Sequence, residues 1–353
     1  MDLNVVEDLS ERSLEPIKQN DKWGFVDRLT GRIVIPCEYD YVNHFSEGLA
    51  FMRVDKKYGF IDKTGKIVVP LEYDYVYRFS EGLAGVKLNE KWGYIDKTGK
   101  IVIPLQYDYT NYFSEGLGCI RQNDKYGFID KTGKIIIPCE YDYVSMFSEE
   151  LAGVSIGGKW TNEYRGGKWG FVDKTGKIVV PIQYDKIHKF SEGLASVKLS
   201  GRSGFIDKTG KVIVPLQCDY LWSFSEGLAT IKQGKKYGSI DKTGKVIVPI
   251  RYDDVWAFSG GVASVKLDNK WGFVDKTGNI VIPIEYDDVF DFSEGLAKVK
   301  LNDKWGFIDK TGKIVIPLQY DRGGNFLDGV AKVRLDDKWG TIDETGKVVV
   351  PFK

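Results

Sequence analysis

The sequence has only two histidines and four cysteines, and neither sign of charge is in excess. The cysteines Cys37, Cys119, Cys139 and Cys218 form no CxxC pair and no regular framework, which indicates free thiols in a reducing compartment. Lys+Arg and Asp+Glu both number 50, so the formal net charge is zero. Because a balanced chain has no general attraction for nucleic acid or anionic lipid, we expect neither as a partner.

Several signatures are also missing. No apolar run is long enough to span a bilayer, and the N-terminal stretch MDLNVVEDLSERSLEP lacks the apolar core of a secretory signal. The chain is therefore predicted to be cytoplasmic and free of the membrane. There is no HExxH motif, P-loop, dinucleotide fingerprint or Cys–His pair. We accordingly predict no catalytic residues, no cofactor and no metal site, and no segment has the period of an amphipathic helix.

The sequence instead repeats one motif ten times. Its central dipeptide is Trp-Gly or Tyr-Gly in nine copies, and successive glycines are separated by 35, 34, 34, 43 and then always 34 residues. The glycines are Gly24, Gly59, Gly93, Gly127, Gly170, Gly204, Gly238, Gly272, Gly306 and Gly340. A fixed period predicts one repeat array over residues 1–353 rather than unrelated domains. We assign residues 1–13 to an N-terminal cap, 14–353 to ten repeats and 157–167 to an inserted hairpin.

One copy, LAKVKLNDKWGFIDKTGKIVIPLQYD at residues 296–321, shows the local pattern. Three runs rich in strand-forming residues are separated by the turn sequences Asn-Asp and Asp-Lys-Thr-Gly. The third run is expected to end at Pro317. The linker that follows, Tyr-Asp-x-Val-x-x-Phe-Ser-Glu-Gly, predicts a turn and a short fourth strand. The chain is therefore predicted to be all-β, with ten antiparallel meanders of three to four strands and about 34 residues each.

The recurring Asp-Lys-Thr-Gly resembles the phosphorylation motif of P-type ATPases. It occurs in eight of the ten copies, while Asp, Thr and Gly are present in all ten and the lysine is not. A type I turn followed by a left-handed residue requires this Asp and Gly, and an activated aspartate requires a unique site. We therefore interpret the motif as a hairpin turn.

The copies KWGFVDKTGKIVVP (168–181) and KWGFIDKTGKIVIP (304–317), with linkers such as YDDVFDFSEGLAKVK (286–300), resemble the bacterial WG repeat, also called the KWG repeat. The resemblance covers almost the whole chain. It implies an all-β repeat of bacterial origin that acts as a binding or scaffolding module, and it assigns no catalytic residue. In the sixth copy Ser203 replaces the motif Trp and Cys218 replaces the Tyr of Tyr-Asp. Two large-to-small changes in one copy predict that these positions pack on each other.

The two residues after the linker Val differ in every copy, which suggests exposure, yet many are large and aromatic. Exposed aromatics favour recognition, although these rings could equally fill gaps between repeats. The inserted hairpin adds two further aromatic residues on a loop. The partner-binding candidates are Tyr77, Tyr112, Trp160, Tyr164, Trp222, Trp256 and Phe290. Lysines beside the turns and acidic residues in the linkers are interpreted as a solvated charged edge.

A meander of this size has too small a core to stand alone, so stacking must complete it. Ten copies would be many for a β-propeller, and the two termini supply separate strands. We therefore favour an open, curved or superhelical array (a solenoid), with a closed propeller-like ring as the alternative. The predicted function is a scaffold that binds a protein partner, with carbohydrate or another ligand as the alternative and an enzyme ranked third.

Overall fold

The computed structural model describes residues 14–160 and 164–353, without the side chains of Trp160, Tyr164 and Arg165. The N-terminal cap predicted at residues 1–13 lies outside this range. The described chain forms ten consecutive antiparallel sheets in which the strands follow one another in chain order. These sheets confirm the predicted all-β repeat of meanders. Over the same residues, no helix is long and apolar enough to cross a membrane.

The first strand of a sheet is the short strand predicted in the linker, and it has two residues in all but one case. These strands are β4 (Tyr41–Val42), β8 (Tyr75–Val76), β12 (Tyr109–Ser114), β16 (Tyr143–Val144), β20 (Lys186–Ile187), β24 (Tyr220–Leu221), β28 (Asp254–Val255), β32 (Asp288–Val289) and β36 (Arg322–Gly323). The sheet nearest the N-terminus consists of the other three strand types.

The second strand begins at an apolar residue and normally has six residues. These strands are β1 (Leu14–Gln19), β5 (Leu49–Val54), β9 (Leu83–Leu88), β13 (Leu117–Gln122), β17 (Leu151–Trp160), β21 (Leu194–Leu199), β25 (Leu228–Gln233), β29 (Val262–Leu267), β33 (Leu296–Leu301) and β37 (Val330–Leu335). Strand β17 is longer because it extends into the insertion.

The third strand carries the Trp-Gly or Tyr-Gly motif and ends at the turn aspartate. These strands are β2 (Lys22–Asp27), β6 (Lys57–Asp62), β10 (Lys91–Asp96), β14 (Lys125–Asp130), β18 (Tyr164–Asp173), β22 (Arg202–Asp207), β26 (Lys236–Asp241), β30 (Lys270–Asp275), β34 (Lys304–Asp309) and β38 (Lys338–Asp343).

Except at the C-terminus, where β39 ends before Pro351, the fourth strand contains the proline and has seven residues. These strands are β3 (Ile33–Tyr39), β7 (Ile67–Tyr73), β11 (Ile101–Tyr107), β15 (Ile135–Tyr141), β19 (Ile178–Tyr184), β23 (Val212–Cys218), β27 (Val246–Tyr252), β31 (Ile280–Tyr286), β35 (Ile314–Tyr320) and β39 (Val348–Val350).

The chain divides into two compact units. Unit 1 contains the described residues up to Gly166 together with Val172–Lys177, and unit 2 contains Gly167–Phe171 and Ile178–Lys353. The boundary therefore falls in the fifth repeat, at strand β18. The sheets β1–β3, β4–β7, β8–β11 and β12–β15 belong to unit 1, and those from β20 onwards belong to unit 2.

The Asp-Lys-Thr-Gly segment is a hairpin turn, as predicted. In the turn after β6, the Gly65 N–H donates to the Asp62 carbonyl at 3.0 Å, and Gly65 has φ +86°. The Asp62 carboxylate accepts hydrogen bonds from the backbone and hydroxyl of Thr64 and from the Lys66 N–H. One oxygen of this carboxylate, Oδ1, therefore accepts all three hydrogen bonds and holds the turn that follows Asp62. The same bonds recur at the turns that follow β10, β14, β18, β22, β26, β30, β34 and β38.

The expectation that Pro317 ends its strand is wrong, because β35 continues to Tyr320. The pairing between β34 and β35 shifts register, so that Phe307 lies opposite Ile316 while Trp305 lies opposite Tyr320. A bulge accommodates a proline because residues there leave the hydrogen-bond ladder. The bulge also explains the motif glycine, since a Cβ at Gly306 would lie 2.6 Å from the Ile316 carbonyl oxygen.

The motif Trp and the downstream Tyr are cross-strand partners, as the sixth repeat predicted. Trp92 lies opposite Tyr107 and both belong to one buried cluster. In the sixth repeat Ser203 lies opposite Cys218, and a cavity of about 290 Å³ borders Cys218. Apolar side chains from β23, β25, β26 and β27 form most of its wall. The cavity thus lies next to Cys218, where other repeats have the larger tyrosine side chain.

Each core lies between two successive sheets rather than inside one. In unit 1, Phe60 and Val69 of the second sheet share a cluster with Val76 and Phe79 of the third, and the two phenylalanine rings are 4.8 Å apart. Burying one such side chain contributes about 1.5–3 kcal/mol. Stacking of repeats is therefore required to complete every core.

Polar contacts between constant linker residues also join successive sheets. The Ser46 hydroxyl donates to the Phe79 carbonyl oxygen at 2.9 Å, and Glu47 accepts from the Gly82 N–H and from Lys97 Nζ, both at 3.1 Å. Further pairs between the turn lysine and the linker glutamate include Lys131–Glu81, Lys174–Glu115, Lys242–Glu192 and Lys276–Glu226. These lysines remain well exposed, which is compatible with the predicted solvated charged edge, and they are in addition paired across repeats.

The aspartate of Tyr-Asp makes a second junction. Asp40 accepts from Lys22 Nζ at 2.6 Å and from the backbone N–H of Asp55 in the next hairpin at 2.9 Å. The carboxylate therefore holds the motif lysine of one sheet and the turn of the following sheet. The Ser-Glu pair of the linker and the aspartate of Tyr-Asp are both nearly constant along the chain. They therefore form a framework, while other positions vary from repeat to repeat.

Candidate recognition surface

The variable linker residues lie at the edge of each sheet, fixed by their backbones. The N–H of Tyr77 donates to the Gly85 carbonyl at 2.8 Å, and that of Trp222 donates to the Thr230 carbonyl at 3.0 Å. Trp256 and Phe290 make the equivalent bond to the second strand of their own sheets. The linker backbone therefore follows the same course in these repeats, and the side chain distinguishes one copy from another, whereas the longer strand β12 departs from this pattern.

In unit 1 the motif aromatics and the first linker tyrosines form a continuous row. The centroids of Tyr75 and Trp92 are 5.8 Å apart, those of Trp92 and Tyr109 are 6.0 Å apart, and Tyr126 continues the row at 6.1 Å. The predicted site residue Tyr77 is part of this packing. Its ring stacks on Trp92 at 5.1 Å, and its hydroxyl lies 3.4 Å from that of Tyr109. Tyr77 is therefore half-buried between repeats.

Three other predicted residues lie elsewhere. Tyr112 is half-buried in β12, with the Arg78 guanidinium 5.8 Å from its ring centroid. Trp160 and Tyr164 occupy the ends of β17 and β18 beside the insertion, but their side chains lie outside the described residues.

In two linkers of unit 2 the large aromatic side chain stands not at the first linker position but at the variable position two residues later. Asp254 and Asp288 stand where unit 1 has tyrosine, and the following variable residues pack on the motif tryptophans. Trp256 lies 5.2 Å from Trp271, and Phe290 lies 5.7 Å from Trp305. In these two linkers an aromatic ring still packs on the motif Trp, while an aspartate occupies the first linker position.

Two adjoining grooves open on unit 2, and Trp222 lines both. Groove A, of about 460 Å³, is lined by Asp219, Tyr220, Trp222, Lys232, Gly234 and Tyr237. Groove B, of about 390 Å³, is lined by Trp222, Thr230, Asp254, Val255, Trp256, Ala257 and Asp291. Of the predicted residues, the structure therefore brings together Trp222 and Trp256. Trp222 is 39% exposed and packs 4.4 Å from Tyr220 and 5.8 Å from Tyr237, measured between ring centroids.

The two grooves differ in charge. In groove A, Lys232 Nζ lies 5.1 Å from the centroid of the Tyr237 ring, and Asp219 in the same lining is paired with Arg202. Groove B contains two carboxylates and no basic side chain. Burial raises the pKa of Asp291, and the hydrogen bond that Asp291 accepts from the Ser264 hydroxyl at 3.4 Å only partly opposes this effect. Groove B is therefore the more acidic of the two.

A third variable position was missed by the sequence analysis. It is the third residue of the second strand, between a residue that is nearly always Ala and one that is Val, Ile or Met. This residue supplies Thr230 to groove B, and in the ninth repeat it is Lys298. Lys298 is 6% exposed, donates to the Gly323 carbonyl and lies 3.8 Å from the Phe290 ring centroid. Its variation among copies is the signal that identifies it.

The arrangement suits binding by stacking and polar contact. Rings stand beside carboxylates, hydroxyls and a lysine in open grooves, which is the composition expected of a recognition site. In the described part of the chain, no group of His, Cys, Asp and Glu has the geometry to hold a metal ion.

A comparison with protein families finds one family whose profile matches the chain repeatedly. The profile of the WG containing repeat family matches ten segments: 23–58, 58–92, 92–126, 126–160, 169–202, 204–237, 237–271, 271–305, 305–339 and 339–353. No curated protein is detectably similar to the chain.

Two solved structures illustrate what the search of known structures found. The crystal structure of a eukaryotic initiation factor is 12% identical, with 97% of this chain and 96% of that chain covered and a TM-score of 0.53. AztD from Citrobacter koseri is 13% identical, with 86% and 93% covered and a TM-score of 0.41. The first similarity shows a shared fold over nearly the whole chain, and it carries no information about function.

Proposed function

Since the chain belongs to the WG containing repeat family, we propose that it is a non-catalytic scaffold that binds a partner protein. The observation that carries the proposal is the pair of adjoining grooves at Trp222, whose linings combine constant framework residues with residues at positions that vary among copies, such as Trp222, Thr230 and Trp256. Constant residues hold the sheets together, so the variable residues are free to serve recognition. Partner contact is centred on Trp222 and Trp256.

The remaining sequence candidates take lesser roles in this proposal. Tyr77 and Phe290 support the packing of neighbouring tryptophans and shape the surface from beneath. The four cysteines are free thiols, which supports a reducing compartment and hence a cytoplasmic location. The partner is a protein rather than nucleic acid or a membrane, because the chain carries no net charge.

The test replaces Trp222 by serine and uses Trp339→Ser as the matched control. Trp339 is a tryptophan of the same unit, is 40% exposed, and contributes to neither groove. Both variants should lose similar stability because the two side chains have similar exposure. Proteins captured from the native host and quantified by mass spectrometry should be lost with Trp222→Ser and retained with Trp339→Ser. Equal capture by both variants would remove the basis of the proposal.

Carbohydrate binding is the second candidate. It is favoured by the placement of Trp222 between Asp219 and Asp254, since sugars stack on a ring while carboxylates accept their hydroxyl protons. Saturable one-to-one binding of an oligosaccharide at Trp222, without any captured protein, would reverse the order of the two proposals.

A further inference from the structure

A serine stands at the motif Phe position of the seventh repeat, next to a residue that lines groove B. Ser239 occupies the motif Phe position, where the sixth and eighth repeats have Phe205 and Phe273 packed on a linker phenylalanine. Ser239 lies directly opposite Thr230, which lines the groove, and opposite residues of an antiparallel pair point to the same face. The Ser239 side chain is therefore on the groove side of the sheet.

The Ser239 hydroxyl has no partner. The residue is 0% exposed, and its Oγ makes no hydrogen bond within the described chain. A buried hydroxyl without a partner costs about 1–3 kcal/mol, so natural structures rarely keep one without a reason. This observation is independent of the carboxylates.

The carboxylates give the groove its charge preference. Asp254 Oδ1 accepts the N–H of Val255 at 2.9 Å, and Asp291 accepts only the Ser264 hydroxyl. Neither carboxylate forms an ion pair with any residue of the described ranges. Lys266 lies opposite Asp254 in the strand pairing, yet no ion pair joins the two in the described part of the chain. The two partly buried carboxylates can therefore attract an added cation, and the π electrons of Trp222 and Trp256 attract the same charge.

We infer that groove B receives a lysine or arginine side chain of a partner polypeptide, held between Trp222 and Trp256 with its charge at Asp254 and Asp291. The inference rests on the proposed function and names the chemistry that the partner presents. A volume of about 390 Å³ accommodates one such side chain. Ionising Asp291 is costly in the empty groove because burial raises its pKa, and an incoming cation offsets that cost.

The test uses Nα-acetyl-lysine methylamide as the probe and its norleucine analogue as the uncharged control. Protein labelled with ¹⁵N in its tryptophans gives indole signals, and Trp222→Phe and Trp256→Phe assign the two from the groove. The lysine probe should shift both signals saturably, whereas the norleucine analogue should need at least a tenfold higher concentration. Equal shifts with both probes, or shifts confined to other tryptophans, would overturn the inference.

The carboxylates are tested with Asp254→Asn and Asp291→Asn, and Asp288→Asn is the matched control. Asp288 occupies the same position in the next repeat and likewise accepts its neighbour's N–H, from Val289 at 3.0 Å, but it lines neither groove. Each groove variant should weaken binding of the lysine probe about tenfold, and the control by less than twofold. Unchanged binding by both groove variants would refute the role of the carboxylates.

The two proposals fail separately. If Trp222→Ser abolishes partner capture while the lysine probe does not bind, the scaffold proposal stands and the cation inference fails. If the probe binds groove B but Trp222→Ser captures the same proteins as the unaltered chain, the scaffold proposal fails.

Discussion

Replacing the motif glycine Gly93 by alanine should destabilise the protein more than replacing a glycine that has positive φ. An ideal Cβ on Gly93 would lie 2.5 Å from the Ile103 carbonyl oxygen and 2.7 Å from that of Pro104. Both atoms are backbone atoms of the bulged strand β11, so no side chain can rotate away to make space. Overpacking usually costs 1–3 kcal/mol, and because the backbone must move here we expect about 3 kcal/mol or more.

Gly82 provides the matched control in the same sheet. It has φ +87°, and a Cβ there would meet nothing within 4 Å. Its replacement by alanine should therefore cost only the strain of a left-handed residue, about 1–2 kcal/mol. Urea unfolding followed by far-ultraviolet circular dichroism gives both free energies of unfolding. If Gly93→Ala costs no more than Gly82→Ala, the close approach at the bulge does not explain the Trp-Gly motif.

Two further outcomes follow from the framework. Trp271 is 6% exposed and Tyr286 is 4% exposed, so Trp271→Ser or Tyr286→Cys alone should cost about 3–5 kcal/mol. The double variant reproduces the sixth repeat and should cost about 1 kcal/mol less than the sum; strict additivity in urea unfolding would contradict their coupling. The Thr98 hydroxyl holds the pKa of Asp96 below its ordinary 3.8, so this carboxylate stabilises the fold above that value and loses the effect as pH falls through the lowered pKa. Acid titration should therefore show less loss of stability for Asp96→Asn than for the unaltered protein, and equal loss would contradict the assignment.

The repeated local features could be predicted because they depend on neighbouring residues. The turn at Asp62, the short linker strand and the pairing of Trp92 with Tyr107 are all visible as patterns within one 34-residue period. The end of the strand at Pro317 was predicted wrongly, because proline is also compatible with a bulge and the sequence does not distinguish the two. Contacts between repeats were not predictable in the same way. Lys97 meets Glu47 only because successive sheets stack, and no local pattern reports that pairing.

The candidate site was predictable only in part, and for a related reason. Variation among copies identified Trp222 and Trp256, because large rings at changing positions stand out against a constant framework. It did not identify Asp254 and Asp291 as one site. The first stands at a linker position shared with tyrosine, and the second comes from the next repeat. Charge at a groove between sheets is a property of the stacked pair, so it cannot be read from either copy alone.

The distribution of constant and variable residues gives the repeat its capacity to change function. The bonds that join sheets use the Ser46 hydroxyl, the Glu47 carboxylate and the Asp40 carboxylate, and equivalent residues recur in nearly every copy. The residues that face the grooves make backbone bonds that any side chain permits. Exchanging tyrosine for Asp254 while placing Trp256 two residues later alters charge and shape, yet it keeps a ring against Trp271. Each repeat can therefore acquire a new surface without losing its stacking, which is the physical basis for assigning recognition to the variable positions.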